Sequence, residues 1–185
     1  KEIEDMIEQQ EIQPVSFQET DTLTLFTWNI GYAGLGKEMD FFYDGGEQVR
    51  TSYENTKNNL QAILKQLKKQ SDTDFILLQE VDVDSKRSYH INQYDSIKRM
   101  LPEHHPLIAV NYLAKYVPFP LKSPVGQVHS GMMMLGKYMP EKAERHAYTG
   151  SFSWPKRLFM PDRCFHASFY PIDNGKNLII INLHN

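Results

Sequence analysis

Three polar side chains sit where apolar runs stop. Asn29 closes "LFTWN", Glu80 closes "FILLQE", and His184 follows "LIIINL". Asparagine is poor in strands, and a carboxylate at the end of a buried strand is costly unless it has a partner. One ligand answers both oddities. A hard divalent cation such as Mg²⁺ takes oxygen ligands, typically one or two carboxylates with waters and substrate phosphate. A carboxamide completes that shell or orients the phosphate. Histidine adds acid–base or phosphate-stabilising chemistry near neutral pH. Gly31, Gly34 and Gly36 follow Asn29 closely, and glycine lets backbone and substrate approach each other. Each residue alone has a plainer reading: Asn29 as a turn residue, Glu80 as the partner of a nearby lysine, His184 as a structural histidine. Together they carry the chemistry.

Other residues must bring these three to one place. The pattern predicts a first strand over 21–29, then a loop over 31–46 carrying Asp40 and Asp44; loops of that length tend to be functional. Leu60, Ile63, Leu64 and Leu67 fall at helical spacing and predict a helix over 48–70. Lys65, Lys68 and Lys69 load its last turns, where the helix dipole favours cations. The near-continuous apolar run over 74–81 is typical of a buried strand. A second helix is expected over 89–101, stopped by Pro102. Strands are expected over 107–112, 131–135, 163–170 and 177–183. Asn174-Gly175 is a hairpin signal between the last two. Ser130-Gly131 reads as a small-residue turn before a methionine-rich core strand. Strand–helix–strand crossovers are right-handed and parallel, so Asn29 and Glu80 are expected on one rim of a sheet, where ligands of open α/β sheets sit. The order implies a mixed sheet with helices on one face.

The 185 residues suffice for one domain with a sizeable core. With 41% hydrophobic and 12% aromatic residues the chain is globular, not disordered. The net charge of -3 lacks the basic excess of a dedicated nucleic-acid binder, so a phosphate ligand must be held locally. The lone cysteine, Cys164, forms no internal disulfide and reads as a small buried strand residue. No apolar run approaches a membrane span. No signal peptide is visible, but the chain opens on Lys1, so cytoplasmic and secreted (after leader removal) locations both fit. Nothing sets an oligomeric state.

"FTWNI", a long loop and then "DFILLQEV" resemble the opening of the endonuclease/exonuclease/phosphatase superfamily. "HSGMMMLGKY" is similar to that family's glycine-containing strand, and "LIIINLHN" to its strand ending in Asn-x-His, with Leu183 where threonine is common. The loop over 31–46 looks like a bacterial branch. The resemblance runs over about residues 22–185. It implies an α/β (α+β) chain, a DNase I-like four-layer α/β/β/α sandwich with mixed sheets, incomplete at its C-terminus. Residues 1–20, with Ile3, Met6 and Ile7 on one short helical face, form a peripheral segment in this reading, and 21–185 the N-terminal portion of one catalytic domain. The resemblance also implies phosphoester hydrolysis with Mg²⁺ or Mn²⁺ and water as nucleophile. Asn29 would contact the metal and its bound phosphate, Glu80 would ligate the metal, and His184 would stabilise the phosphorane. The family's Gly-Asp-x-Asn and C-terminal Asp-His motifs do not occur in these residues. The chain alone is therefore expected to be nearly inactive, because the members of a catalytic unit act together.

Arg163, at a strand start, is the best candidate for an extra phosphate contact, and Asp44, beside two glycines, for a reach to the metal. The substrate is a phosphoester; nucleic acid and a phospholipid headgroup both suit the mixed aromatic and basic stretch "SFSWPKRLFMPDR". Two other classes compete. One is a non-catalytic phosphate- or partner-binding module that keeps the fold. The other is a flavodoxin-like domain, against which the strand-rich second half argues.

Overall fold

A computed structural model of the chain describes residues 17–184, apart from 19, 151, 173 and 174. Asn174 and the short helical face at Ile3, Met6 and Ile7 lie outside the described residues.

The first sheet has the order β1-β2-β4-β3. β1 (Leu25–Asn29) runs parallel to β2 (Phe75–Asp82), and the crossover between them is helix α1 (Tyr53–Lys68). α1 starts five residues later than its apolar spacing predicts because Ser52 caps it, its hydroxyl accepting from Asn55 N–H at 3.1 Å. Helix α2 (Gln93–Met100) likewise starts late. Asn92 caps it, and Tyr89 and His90 have left-handed φ of 57° and 59°, which no helix accommodates. β3 (His105–Val117) and β4 (Gly126–Gly136) are longer than expected, and Ser130-Gly131 is strand, not turn. Gly131 is required where it stands: a Cβ there would lie 2.7 Å from the Ala109 carbonyl oxygen on the neighbouring strand. On the Gly126 side of Ser130 the β3–β4 pair loses β2 as a neighbour and continues as a two-stranded ribbon.

The second sheet, β5-β6-β7, is antiparallel throughout. β6 (Cys164–Pro171) and β7 (Asn177–Leu183) form the expected hairpin. β5 (Lys142–Ala147) was not foreseen: "KAERHA" is a polar edge strand with no apolar run to reveal it.

Both faces of β2 are buried. Ile76 and Leu78 pack with Leu60, Ile63 and Leu67 of α1 and Ile97 of α2. Phe75 and Leu77 pack on the other side with Met134, Tyr170 and Ile180, between the two sheets. Phe17, within the segment expected to be peripheral, joins this second core and bridges to Ile172. His166 is fully buried on β6, and burial pushes its pKa down to about 4, so it is neutral. The described residues thus supply a helix layer and two packed sheets. Among them no helix is long and apolar enough to cross a membrane.

Candidate functional site

Parallel pairing places Asn29 opposite Gln79 at the ends of β1 and β2. Glu80 follows at once. Two residues of β2, Gln79 and Glu80, face a single residue of β4 in a bulge between Leu78 and Val81. Glu80 takes a left-handed φ of 56° there. A bulge re-aims a side chain that the regular pleat would hold in the ladder. A second register shift, between Val110 and Tyr112 on β3, brackets Asn111 on the other side of Gly131 along β4. Glu80 and Asn111 both line one cavity of about 230 Å³, together with His184, Arg87, Tyr112 and Arg163.

Three of the sequence-predicted residues meet here. Asn29 Nδ2 donates to Glu80 Oε1 at 3.0 Å and lies 3.3 Å from His184 Nε2. His184 Nε2 lies 3.5 Å from the same Glu80 oxygen. Unprotonated, that nitrogen accepts from Asn29; protonated, it donates to Glu80. Asn29 Oδ1 is occupied by Gly31 N–H at 2.9 Å, so the carboxamide presents its NH₂ to Glu80 and His184 from the edge of the cleft. No lysine pairs with Glu80 among the described residues. Arg163 lines the same cavity at the entrance to β6. Asp44 is exposed at the end of a 3-10 turn (Phe42–Asp44) and does not line the cavity among the described residues. A neighbouring cavity of about 540 Å³ borders Asn29, but Trp28, Ala33 and Ile63 make its walls largely apolar.

Sequence reasoning missed the support beneath these residues. Asn182, buried, accepts from Gln79 Nε2 at 2.7 Å and donates to the carbonyls of Leu78 and Met133 at 3.1 Å each. One amide on β7 therefore pins the bulge that carries Glu80, two residues before His184. Its signal was a polar residue inside "LIIINL". Arg87 grips the fully buried Asp82 through two nitrogens, at 3.1 and 2.9 Å, and its guanidinium lies 3.9 Å from the Tyr32 ring centroid. The Asp82 carboxylate raises its pKa against the lowering effect of burial, so it is a fixed cation on the cleft wall. The loop after Asn29 makes room for Tyr32: a Cβ at Gly34 would overlap that ring.

Among the described residues no group of three or more His, Cys, Asp or Glu side chains is arranged to hold a metal ion. The cleft offers one carboxylate, one histidine and carboxamide donors, with two arginines beside them.

Two packed sheets, helices on the outer face of one, and a polar cleft at the strand ends make the architecture of the DNase I-like fold. Two solved structures share it with this chain. One is an endonuclease/exonuclease/phosphatase family protein from Leptotrichia buccalis C-1013-b, with a TM-score of 0.55 and 12% identity over 88% of this chain and 55% of that one. The other is an endonuclease/exonuclease/phosphatase from Beutenbergia cavernae DSM 12333, with a TM-score of 0.54 and 13% identity over 88% of this chain and 38% of that one. The chain has the fold of the endonuclease/exonuclease/phosphatase superfamily and spans little more than half the length of the first of these proteins. No family model and no curated protein matches its sequence.

Proposed function

We propose that the chain carries the metal- and phosphate-handling side of a phosphoester hydrolase, of nuclease or phosphodiesterase type. One observation supports this above others: Asn29 lies 51 residues before Glu80 and 155 before His184 in sequence, yet the three polar groups lie within 3.5 Å of one another, and Glu80 and His184 line a cleft with two arginines.

The donor set fits Mg²⁺ or Mn²⁺ held through Glu80. Such ions commonly use one or two protein carboxylates and fill the remaining positions with water and phosphate oxygens. Asn29 donates to a phosphoryl oxygen, because its own oxygen is committed to Gly31. The bound ion would supply Lewis-acid polarisation of the phosphate and a more acidic water. His184, protonated at Nε2, donates to a non-bridging phosphoryl oxygen, where negative charge builds as water adds. Arg163 and Arg87 hold the anion in place by charge, Arg87 with its position fixed by Asp82. Tyr112, tied through its hydroxyl to the Phe159 carbonyl at 3.0 Å, closes one wall.

Mn²⁺ titration followed by loss of the free-ion resonance tests the reading, with inorganic phosphate present. The expected result is one site on the chain, abolished by Glu80→Gln. Equal binding by that variant would overturn it. Phosphodiester turnover is expected at the level of the Glu80→Gln control, since the set of groups is partial. Phosphate binding that persists in Glu80→Gln without the ion assigns instead a phosphate-binding module that keeps the fold.

A further inference from the structure

The largest exposed apolar side chains outside the sheets cluster on two loops at one end of the molecule. The first is the tip of the β3–β4 ribbon, where Leu121 is 81% exposed beside the exposed Phe119. The second is the 152–163 segment, where Trp154 is 76% exposed and Leu158 also stands in solvent. The loops touch: the rings of Phe119 and Phe159 have centroids 5.8 Å apart, and Tyr112 on β3 donates to the Phe159 carbonyl. The second loop leads directly into Pro161 and Arg163 of the cleft.

Charge on this end departs from that of the chain. Residues 113–128 and 148–161 contain no Asp or Glu, yet carry Lys115, Lys122, Lys156 and Arg157, in a protein whose net charge is -3; Asp162, the one acid of the second loop, is paired with Arg145 at 2.8 Å. Exposed leucine and tryptophan on neighbouring loops, interleaved with cations, are the features that seat in the headgroup boundary of an anionic bilayer. A single-stranded nucleic acid would use the aromatic faces and the cations but leaves Leu121 and Leu158 without a role. Two-fold pairing of copies would set the four cations against their own images.

We infer that this end of the molecule is a peripheral docking surface for anionic phospholipid membranes, with Leu121 and Trp154 inserting and the flanking lysines and arginine contacting headgroups. Docking there directs the mouth beside Arg163 toward the bilayer. The inference concerns binding alone and stands apart from the hydrolytic reading of the cleft.

The test is co-sedimentation of the full chain with phosphatidylcholine vesicles, with and without phosphatidylserine. Expected are binding that requires phosphatidylserine and weakens with salt, and a blue shift of tryptophan emission that Trp154→Phe removes. The double variant Leu121→Ser with Trp154→Ser should lower partitioning about tenfold or more. Both positions are solvent-exposed, so folding is unaffected, and unchanged circular dichroism verifies it. Glu80→Gln should bind vesicles as the parent does, which separates this surface from the cleft chemistry. Four results would overturn the inference: no vesicle binding, binding without the blue shift, binding indifferent to the double variant, or vesicle binding displaced by the same variant-sensitive contact with oligothymidylate. Self-association abolished by the double variant, without vesicle binding, would assign the surface to a second copy.

Discussion

β2 and β7 are both runs of large apolar side chains, and each leads within two residues to a group of the cleft. β2 delivers Glu80 and β7 delivers His184. The surroundings differ. β2 is central in its sheet, with α1 and α2 on one face and the second sheet on the other. β7 is an edge strand that turns only Ile180 and Asn182 fully inward, while Ile179, Ile181 and Leu183 stand about half exposed. The backbone differs as well: Glu80 sits in a bulge with a left-handed φ, whereas no such distortion occurs along β7. One strand end is strained and locked on all sides; the other is regular and held from one side. The Gln79–Asn182 amide pair joins them. A rigid scaffold around a strained residue holds that residue in its strained geometry.

The comparison is broken most directly by emptying equivalent positions in the two runs. Leu78→Ala removes a side chain with no solvent exposure in the helix-facing core, at an expected cost of about 3–5 kcal/mol. Ile181→Ala removes one that is 48% exposed, at about 1 kcal/mol or less. Urea midpoints measure both. Equal losses would mean that the outer face of β7 is covered in solution.

The link between the strands is tested next. Asn182→Leu removes three hydrogen bonds: the Gln79 amide loses its shortest one and keeps only longer contacts to Thr27 Oγ1 (3.3 Å) and the Leu77 carbonyl (3.4 Å), and the Leu78 and Met133 carbonyls lose the Asn182 donor. The expected cost is about 2–4 kcal/mol. Adding Gln79→Leu should recover part of it, because the pair is then replaced by apolar groups rather than orphaned. A double-mutant cycle with no coupling would show that the amides hold the two ends independently.

Much of this was legible beforehand, and the reason lies in the kind of signal. Asn29, Glu80 and His184 stood out because each interrupts or ends an apolar run, and burial of polar groups is a local contradiction that sequence displays. The parallel pairing of β1 and β2 followed from the crossover. The bulges that aim Glu80 and Asn111 were invisible, because they arise from register between strands far apart in sequence. Asn182 lay inside a recognised strand, yet its role depends on the second sheet packing against Leu78 and Met133. Arg87 gave no sign at all: its meaning comes from Asp82 and the Tyr32 ring, brought together only by the fold. Asp44 stands exposed on a surface loop outside the cavity, a placement that two adjacent glycines in the sequence did not indicate.

The smallest effect is also the most discriminating. At φ 56° a residue other than glycine pays a conformational cost that glycine does not. Glu80→Gly relieves that strain but gives up the hydrogen bond from Asn29, so the expected net gain in stability is about 0.5–1 kcal/mol. Glu80→Ala loses the same hydrogen bond and keeps the strain, and should be no more stable than the parent. The difference between the two urea midpoints therefore isolates the backbone contribution from the side-chain one. If glycine and alanine prove equal at position 80, the bulge is relaxed, and the contrast between the ends of β2 and β7 reduces to burial alone. If glycine is the more stable, as expected, the chain keeps a carboxylate there at the expense of its own stability, which a purely structural strand end would have no reason to do.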